Sequence, residues 1–336
     1  MFCEMKNKPI NTSFTRKQPM AKVYLQNRKK NLFSEIKKTV TKLPKKDEVL
    51  WIDIHENKED FLAIKDIFRI HPLTVDDCLK KETRIKIETF ENYILVIAYG
   101  LVIQKAEIKI QEVDFIIGQN FIITNHLNDI EAIHQLKDDQ KMLQHLLNKG
   151  PEFIMQYIMD RLIESFFPAI EKIDEEIDQI EARIFKKAEA TILTRLFKFK
   201  QHVMDIKRHT TNHREVIAAL AKRTVPFLSP RSEVYFRDLY DKVIRVADFI
   251  EIQREIVSNI VETHTIVMSN KMNQVIKVLT IIATITMPLT VVSSIYGMNF
   301  RYMPELEWRY GYVYVWGLMI LSVITMMWYF KRKEWV

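Results

Sequence analysis

Polar side chains recur at a regular spacing along an apolar stretch near the C-terminus. A helix that packs in a left-handed bundle shows the same face about every 3.5 residues. The positions that this period visits are Asn273, Ile276, Thr280, Ala283, Met287, Thr290, Ser294 and Gly297. Amide, hydroxyl and small side chains in one stripe suit the lining of an ion pathway. The same residue types also line helix interfaces in membranes, so the pattern alone leaves both interpretations open.

The residue types that are missing here restrict which ion could pass. Neither apolar stretch, 278–300 or 310–330, contains Asp, Glu, His or Cys. No membrane-buried ligand could therefore remove the water from a divalent cation. Mg2+ gives up its water reluctantly, and soft ions such as zinc or copper would be poorly served by these groups. We expect any ion pathway in this chain to carry a hydrated cation.

Two transmembrane helices must position the stripe. Both apolar stretches are free of charged residues and exceed the roughly 20 residues that a helix needs to cross a bilayer. Lys271 and Lys277 precede the first stretch, and Lys331, Arg332 and Lys333 follow the second. The positive-inside rule therefore predicts that both termini are cytoplasmic. A pair of helices cannot enclose a pore, so conduction requires a ring of identical subunits in the lipid bilayer.

The rest of the chain gives little sign of other chemistry. The net charge of +7 is concentrated near the termini, which favours membrane topology over nucleic-acid binding. Cys3 and Cys78 form no metal-binding motif, and we expect Cys78 to lie in a core.

The i, i+4 pair His209 and His213 has no accompanying ligand pattern, so a polar helix face is predicted there. Because phosphate-binding and nucleophile motifs are absent, we expect neither an enzyme nor a bound nucleotide. The basic start of the chain, without an apolar segment, predicts no cleavable signal peptide.

The part before the membrane stretches predicts a mixed α/β domain followed by long helices. Strand-like runs cover 49–54, 84–90, 93–103 and 113–124, and helical patterns cover 58–70 and 71–81. A heptad seam of isoleucines, with an acidic solvated face beside it, follows from residue 170. After Pro230 there is neither Gly nor Pro until Pro288, so 231–287 could form one helix that continues into the membrane.

Several blocks of the sequence closely resemble the CorA family of magnesium transporters. The resemblance covers nearly the whole chain and is strongest in "YGMNF" (296–300), where a glycine, a methionine and an asparagine end the first membrane stretch. Further matching blocks are "IHPLTVDDCL" (70–79), "FENY" (90–93), "YFRDLYD" (235–241), "KVLTIIATITMPLT" (277–290), "MPEL" (303–306) and the terminal "KRKEW". The resemblance implies a funnel-shaped homopentameric channel with a cytosolic α/β domain, a long pore-lining stalk helix and an outer second transmembrane helix.

The resemblance also implies roles for particular residues in the pore. Gly297, Met298 and Asn299 would form the selectivity filter, with the Asn299 amide holding water around the cation. Glu305 in the external loop would attract cations to the mouth. Met287 and the region of Leu279 and Thr280 would form an apolar constriction, with Asn273 at its cytosolic entrance. Apolar rings of this kind can close a pore by losing their water.

Regulation is implied as well. Asp77 and Asp238 match the family's regulatory Mg2+ site between subunits, with Asp76 as a neighbouring candidate. Carboxylates that face each other across an interface repel unless a cation joins them. The resemblance thus implies a channel that opens when cytosolic Mg2+ falls.

These inferences predict the following organisation and function. The expected regions are a basic N-terminal segment (1–45), a cytosolic α/β domain (46–150), a helical hairpin region (151–230), a stalk helix that continues into the first transmembrane helix (231–300), an external loop (301–309), a second transmembrane helix (310–330) and a basic cytosolic tail (331–336). The expected function is passive influx of hydrated Mg2+, and also of Co2+ and Ni2+, across the cell (inner) membrane. Two alternatives remain: a zinc transporter of the same superfamily, and a membrane-tethered oligomeric sensor or scaffold that does not conduct.

Overall fold

A computed structural model describes most of the chain as two compact units. The described residues are 21–36, 40–80, 83–104, 107–186, 190–222, 225–299, 301, 303–304 and 307–335. The first unit comprises residues 1–179 and 197–257, and the second comprises residues 180–196 and 258–336. The long helix that begins at Glu233 contributes residues to both units.

A seven-stranded mixed sheet forms the centre of the first unit. Its strands, in chain order, are β1 (Lys22–Asn27), β2 (Leu32–Ile36), β3 (Glu48–His55), β4 (Lys86–Thr89), β5 (Ile94–Gln104), β6 (Glu107–Ile117) and β7 (Phe121–His126). They lie in the order β2-β1-β3-β7-β6-β5-β4. Only β3 and β7 pair in parallel, with His55 opposite His126, and the other neighbours are antiparallel. The mixed sheet with helices confirms the predicted α/β class.

Nine helices are described. They are α1 (Lys58–Lys65), α2 (Pro72–Leu79), α3 (Glu131–Asp138), α4 (Gln140–Lys149), α5 (Pro151–Glu164), α6 (Phe166–Lys186), α7 (Ala190–Ala221), α8 (Glu233–Tyr296) and α9 (Gly311–Arg332). Their starts follow local capping chemistry. The Asn57 side chain accepts hydrogen bonds from the first backbone N–H groups of α1, and Pro72 begins α2 where no N–H donor is needed.

The two N-terminal strands differ from the expected organisation. β1 and β2 lie within 1–45, the segment expected to be only basic and polar, so the sheet begins before residue 46. β1 is held by its neighbour, because the ring of Tyr24 stacks on Trp51 of β3 with centroids 5.2 Å apart. β2 is an edge strand, and three of its five side chains are exposed. A short strand of this kind is stabilised by the partner strand rather than by its own sequence.

The core of the first unit is built on β5, whose first eight side-chain positions are all buried. A strand covered on both faces reads as a continuous apolar run, as "ILVIAYGL" does. Helix α5 packs on it closely, since a Cβ at Gly100 would lie 2.6 Å from Cδ2 of Leu162. Gly100 thus allows a close approach between helix and sheet. The heptad seam is confirmed from Ile170 to Ile180, where all four isoleucines are buried.

In the second unit, the last part of α8 and the whole of α9 are long and apolar enough to cross a membrane. None of the apolar window of α8 is buried within the chain, and only 6% of that of α9 is buried. These are the two transmembrane helices that the sequence predicts. Helix α8 continues through Pro288 to Tyr296, so the predicted stalk and first span form one 64-residue helix.

Candidate ion pathway and cation sites

The predicted stripe lies on the uncovered side of α8. Asn273, Thr280, Ala283, Thr290 and Ser294 are all exposed. The apolar members are even more open, with 53% of Ile276 and 71% of Met287 exposed, and the flanking Leu279 is 60% exposed. The opposite face is half-buried and consists of Ile281, Thr284, Ile285, Pro288, Leu289, Val292 and Tyr296. Helix α8 therefore has one half-buried face, and the polar stripe lies within the broader surface that the chain leaves open.

The covered face meets α9 at the far end of the hairpin. Ser293, Tyr296 and Gly297 border a cavity of about 680 Å3, and Trp308 and Trp316 line it from the side of α9. Aromatic rings at this level are typical of a membrane interface. Of the stripe residues at this end, Gly297 borders the cavity, whereas Thr290 and Ser294 do not.

The threonines of the stretch present acceptors to their surroundings. The Thr290 hydroxyl donates to the Thr286 carbonyl at 3.0 Å, and the Thr286 hydroxyl donates to the Ile282 carbonyl at 2.8 Å. Once a hydroxyl has donated its hydrogen to the helix backbone, its oxygen can still accept hydrogen bonds. Water that surrounds a cation directs its hydrogens outward. The exposed Thr290 oxygen is thus suited to hold a hydrated cation.

Helix α8 ends immediately before the Gly-Met-Asn motif. The Gly297 N–H donates to the Ser293 carbonyl at 3.0 Å, and the Met298 N–H donates to the Ile295 carbonyl at 3.3 Å. Gly297 does not adopt the left-handed conformation of a common helix-ending glycine. Its Cβ would lie 3.1 Å from the Ser293 carbonyl oxygen, so the missing side chain relieves crowding at the last turn. Met298 and Asn299 are exposed beyond it.

The external loop is described in part. Met303 and Pro304 belong to the described residues, whereas Glu305, the predicted cation-attracting carboxylate, lies outside them. The role of Glu305 stays a prediction from the sequence.

Two of the three predicted regulatory carboxylates lie on α2. Asp77 is largely buried and accepts a hydrogen bond from Lys86 Nζ at 2.7 Å, and Lys86 also reaches Glu88 at 2.8 Å. Asp76 is exposed and forms an i, i+4 ion pair with Lys80. Asp77 therefore has a cationic partner within its own chain.

Asp238, the third, lies on the first turns of α8 and is exposed. Its neighbour Leu239 is fully buried, so the helix turns the carboxylate away from the core of the first unit. Among the described residues, no group of three or more His, Cys, Asp or Glu side chains could hold a metal ion. A single chain thus does not assemble the predicted regulatory site.

Comparisons with known proteins agree with this arrangement. Residues 46–332 match the family of the CorA-like Mg2+ transporter protein. The chain belongs to this family. It is 34% identical to the cobalt/magnesium transport protein CorA of Thermotoga maritima over 276 residues, which are 81% of this chain and 79% of that protein. It is 30% identical to the putative metal ion transporter YfjQ of Bacillus subtilis over 286 residues, which are 85% of this chain and 89% of that protein.

A solved structure supports the fold of this CorA-family chain. The complete structure of the CorA magnesium transporter from Methanocaldococcus jannaschii aligns with a TM-score of 0.80 and covers 94% of this chain and 98% of that one. The two sequences are 19% identical, so the comparison concerns the fold. A soluble α/β domain, a long helix and a C-terminal helix are common to both.

Sequence reasoning about this CorA-family chain missed a buried ionic cluster in the sheet. Asp53 of β3 accepts hydrogen bonds from Thr124, Lys137 and the ring of His126, whose Nε2 lies 3.2 Å away. Burial raises the pKa of Asp53, but the hydrogen bonds and charges of His126 and Lys137 outweigh it and lower the pKa to about 2. In the sequence these residues are only isolated polar positions within apolar strands. The cluster becomes visible once β3 is paired with β7.

His213 also differs from its predicted place on a polar helix face. The side chain is fully buried, and its Nε2 accepts a hydrogen bond from the Tyr99 N–H at 2.9 Å. Its Nδ1 lies 3.0 Å from the His209 carbonyl, to which a protonated Nδ1 donates. Burial lowers the pKa of His213 to about 4. The imidazole is thus a neutral link between α7 and β5 rather than a metal ligand.

Proposed function

We propose that this chain is one subunit of a homopentameric channel that carries hydrated Mg2+ passively into the cell. The stripe of α8 would line the pore, and Gly297, Met298 and Asn299 would form the selectivity filter at its outer end. Co2+ and Ni2+ would pass as well, because a pore that holds hydrated ions discriminates weakly among similar dications. The protein would lie in the cell (inner) membrane with both termini in the cytoplasm, and the negative interior would favour entry by about 2.3 kcal/mol per charge per 100 mV.

The observation that carries this proposal is the open polar face of α8. A helix pair that only anchored a scaffold would have no need of exposed Asn273, Thr290 and Ser294 on one stripe. An uncovered polar face is unfavourable against lipid and is stabilised when copies of the helix surround water. The charge-free spans provide no ligand that would trap a divalent cation. The names of the Thermotoga and Bacillus relatives, which refer to cobalt/magnesium and metal ion transport, point to the same function.

Cytosolic Mg2+ would control the channel through Asp77, Asp238 and Asp76. An exposed Asp238 without a cationic partner among the described residues is available to a neighbouring subunit. The Lys86 ammonium neutralises Asp77 when no metal is bound, so metal binding and this ion pair would compete. Mg2+ held between subunits would cement the closed ring, and its loss would let the subunits move. We expect Asp238→Ala to weaken closure by internal Mg2+, and unchanged closure would contradict this part of the proposal.

The decisive experiment measures ion entry into liposomes that carry the purified protein, with low internal Mg2+. Mg2+, Co2+ and Zn2+ are supplied outside, and wild type is compared with Asn299→Ala. Loss of Mg2+ entry in this variant is expected, because the amide that holds the hydrated ion is removed. Asn128→Ala is the matched control, since Asn128 is an exposed asparagine in the sheet domain. Its flux should equal that of wild type.

Each other outcome favours one of the alternatives. Zn2+ entry without Mg2+ entry would favour a zinc transporter of the same superfamily. No entry of any ion would favour a non-conducting oligomeric sensor. Equal Mg2+ entry through wild type and Asn299→Ala would retain a channel but place its filter elsewhere.

A further inference from the structure

The C-terminal tail folds back onto α8 at the cytosolic end of the membrane span. Lys277 Nζ donates to the Glu334 carbonyl at 2.8 Å and lies 6.0 Å from the centre of the Trp335 ring. The Trp335 ring stacks on Phe330 with centroids 5.7 Å apart and an angle of 12°, and the backbone N–H of Trp335 donates to the Phe330 carbonyl at 2.9 Å. Phe330 is one of the two buried residues of α9. We call Lys277, Phe330, Glu334 and Trp335 the tail clamp.

Lys277 occupies a sensitive position. It is the last charged residue before the uncharged stretch, and it directly follows Ile276 of the polar stripe. At 100° per residue, its Cα lies about 100° from Ile276 and about 60° from Thr280 around the helix. Its four-carbon side chain is flexible enough to reach either side. An ammonium group that swung onto the stripe would stand at the entrance of the cation pathway.

The clamp holds this ammonium on the covered side of α8. One of its donors is satisfied by a backbone carbonyl, and the aromatic face of Trp335 attracts the charge. The backbone of Glu334 has a left-handed φ of 56°, which turns its carbonyl and the following ring toward α8. Such a conformation is uncommon outside glycine, and the contacts of the clamp offset its cost.

We infer that Trp335 is a positioning residue for cation conduction: it retains the Lys277 ammonium away from the pore stripe. This inference rests on the proposed function. In a symmetric ring every subunit carries one such ammonium, and a ring of like charge at the mouth lowers the local concentration of a cation. Release of the tail would therefore slow cation passage by electrostatic repulsion rather than by loss of structure.

The test uses the full-length protein in liposomes and measures Mg2+ entry at low internal Mg2+. We expect Trp335→Ala to slow entry by about fivefold, which corresponds to about 1 kcal/mol. Trp335→Phe keeps an aromatic face and should conduct like wild type. Trp328→Ala is the matched control, because Trp328 is 60% exposed and the Arg332 guanidinium of its own helix lies 5.5 Å from the centre of its ring. It should leave entry unchanged.

Charge removal separates positioning from folding. In Trp335→Ala the second substitution Lys277→Met deletes the ammonium, and entry should return to that of Lys277→Met alone. A merely structural role for Trp335 predicts no such rescue. Trp335→Leu, which keeps an apolar contact with Phe330, serves if the alanine variant fails to assemble, and the same rescue applies to it.

The results separate the two proposals. Wild-type entry of Mg2+ together with an unchanged Trp335→Ala rate, or a double variant as slow as Trp335→Ala, would overturn the tail clamp and leave the channel intact. Absence of entry through wild type would overturn both.

Discussion

Apolar side chains have opposite exposures in the sheet and in the membrane helices. Leu95 and Ile97 of β5 are completely buried, whereas 71% of Met287 in α8 and 64% of Leu321 in α9 are exposed. Burying one such side chain contributes about 1.5–3 kcal/mol in water. The sheet thus obtains its stability within one chain. In the proposed channel, lipid and other copies of the chain would supply the same contacts to the membrane helices.

The polar side chains of the two regions differ in the same way. In the sheet, Asp53 is surrounded by donors of its own chain. In α8, Asn273 is exposed on a helix face that is bare within the chain, and Asn299 is exposed just beyond its end. Buried polar groups whose hydrogen bonds are made within one chain stabilise that chain. Exposed polar groups are available to an ion, to water or to a second copy of the chain. The difference separates residues of stability from residues of function.

The largest effect is expected from the buried ionic cluster. Lys137→Met removes the ammonium group from the buried Asp53 carboxylate, and removing one partner of a buried pair costs about 3–5 kcal/mol. Hydrogen exchange of the β3 and β7 amides should accelerate by roughly two hundredfold to several thousandfold. Lys29→Met is the control, since its pair with Asp47 is exposed and such pairs contribute about 0–1 kcal/mol. Equal effects of the two variants would contradict the distinction.

The next effect is a loss of stability in acid that depends on His213. The pKa of this histidine is lowered from 6.5 to about 4 by burial, so between these values the unfolded chain binds a proton that the folded chain does not. The contribution of His213 to the free energy of unfolding is fully present above pH 6.5 and falls by about 3 kcal/mol as the pH drops to about 4. Exchange of the β5 amides at both ends of this range measures it.

A substitution checks that assignment. His213→Gln should have a flatter pH dependence than wild type, because the titrating ring is gone. His145→Gln changes an exposed histidine of α4 and should retain the wild-type profile. If His213→Gln loses as much stability in acid as wild type, another group is responsible.

Two glycines allow the packing of the sheet to be compared with that of the membrane helices. Gly100→Ala brings a Cβ within 2.6 Å of Cδ2 of Leu162 and 3.3 Å of Oγ of Ser165, so the Leu162 side chain must move within the packed core at a cost of about 1–3 kcal/mol. A Cβ at Gly317 of α9 would meet no other described part of the chain within 4 Å, so Gly317→Ala should not lower the unfolding temperature of the monomer. Thermal unfolding in detergent compares the variants. A large effect of Gly317→Ala on assembled protein would mark that position of α9 as a contact between copies.

The sequence predicted the elements whose pattern is local. The strands around 49–54 and 93–103, the two spans and the isoleucine seam each repeat one period over many residues. The stripe of α8 was also predictable, because the period of a single helix determines which residues share its face. That face is open within the chain, as an ion pathway between copies requires.

Features that depend on a distant partner could not be predicted. The i, i+4 pattern placed His209 and His213 on one side of a helix, but the Tyr99 N–H that His213 meets is 114 residues away. Likewise β1 could not be predicted from its own sequence, because it is stabilised by pairing with β3, where Tyr24 stacks on Trp51. The sequence predicted that the Gly-Met-Asn motif ends the first membrane stretch, but not that Gly297 lacks a left-handed conformation.

The smallest effect concerns two threonines with the same local bond. The Thr290 hydroxyl donates to the Thr286 carbonyl at 3.0 Å, and the Thr325 hydroxyl of α9 donates to the Leu321 carbonyl at 2.8 Å. Valine has nearly the same shape and removes the hydroxyl in both cases. Thr290→Val should slow Mg2+ entry by about threefold, because one acceptor for water around the ion is lost from each subunit, at a cost of about 0.6 kcal/mol. Thr325→Val loses an equivalent bond on a helix that does not carry the stripe, so its Mg2+ entry should stay at the wild-type rate. Equal slowing of both variants would mean that the hydroxyls act through helix stability, and the open face of α8 would then have no special part in conduction.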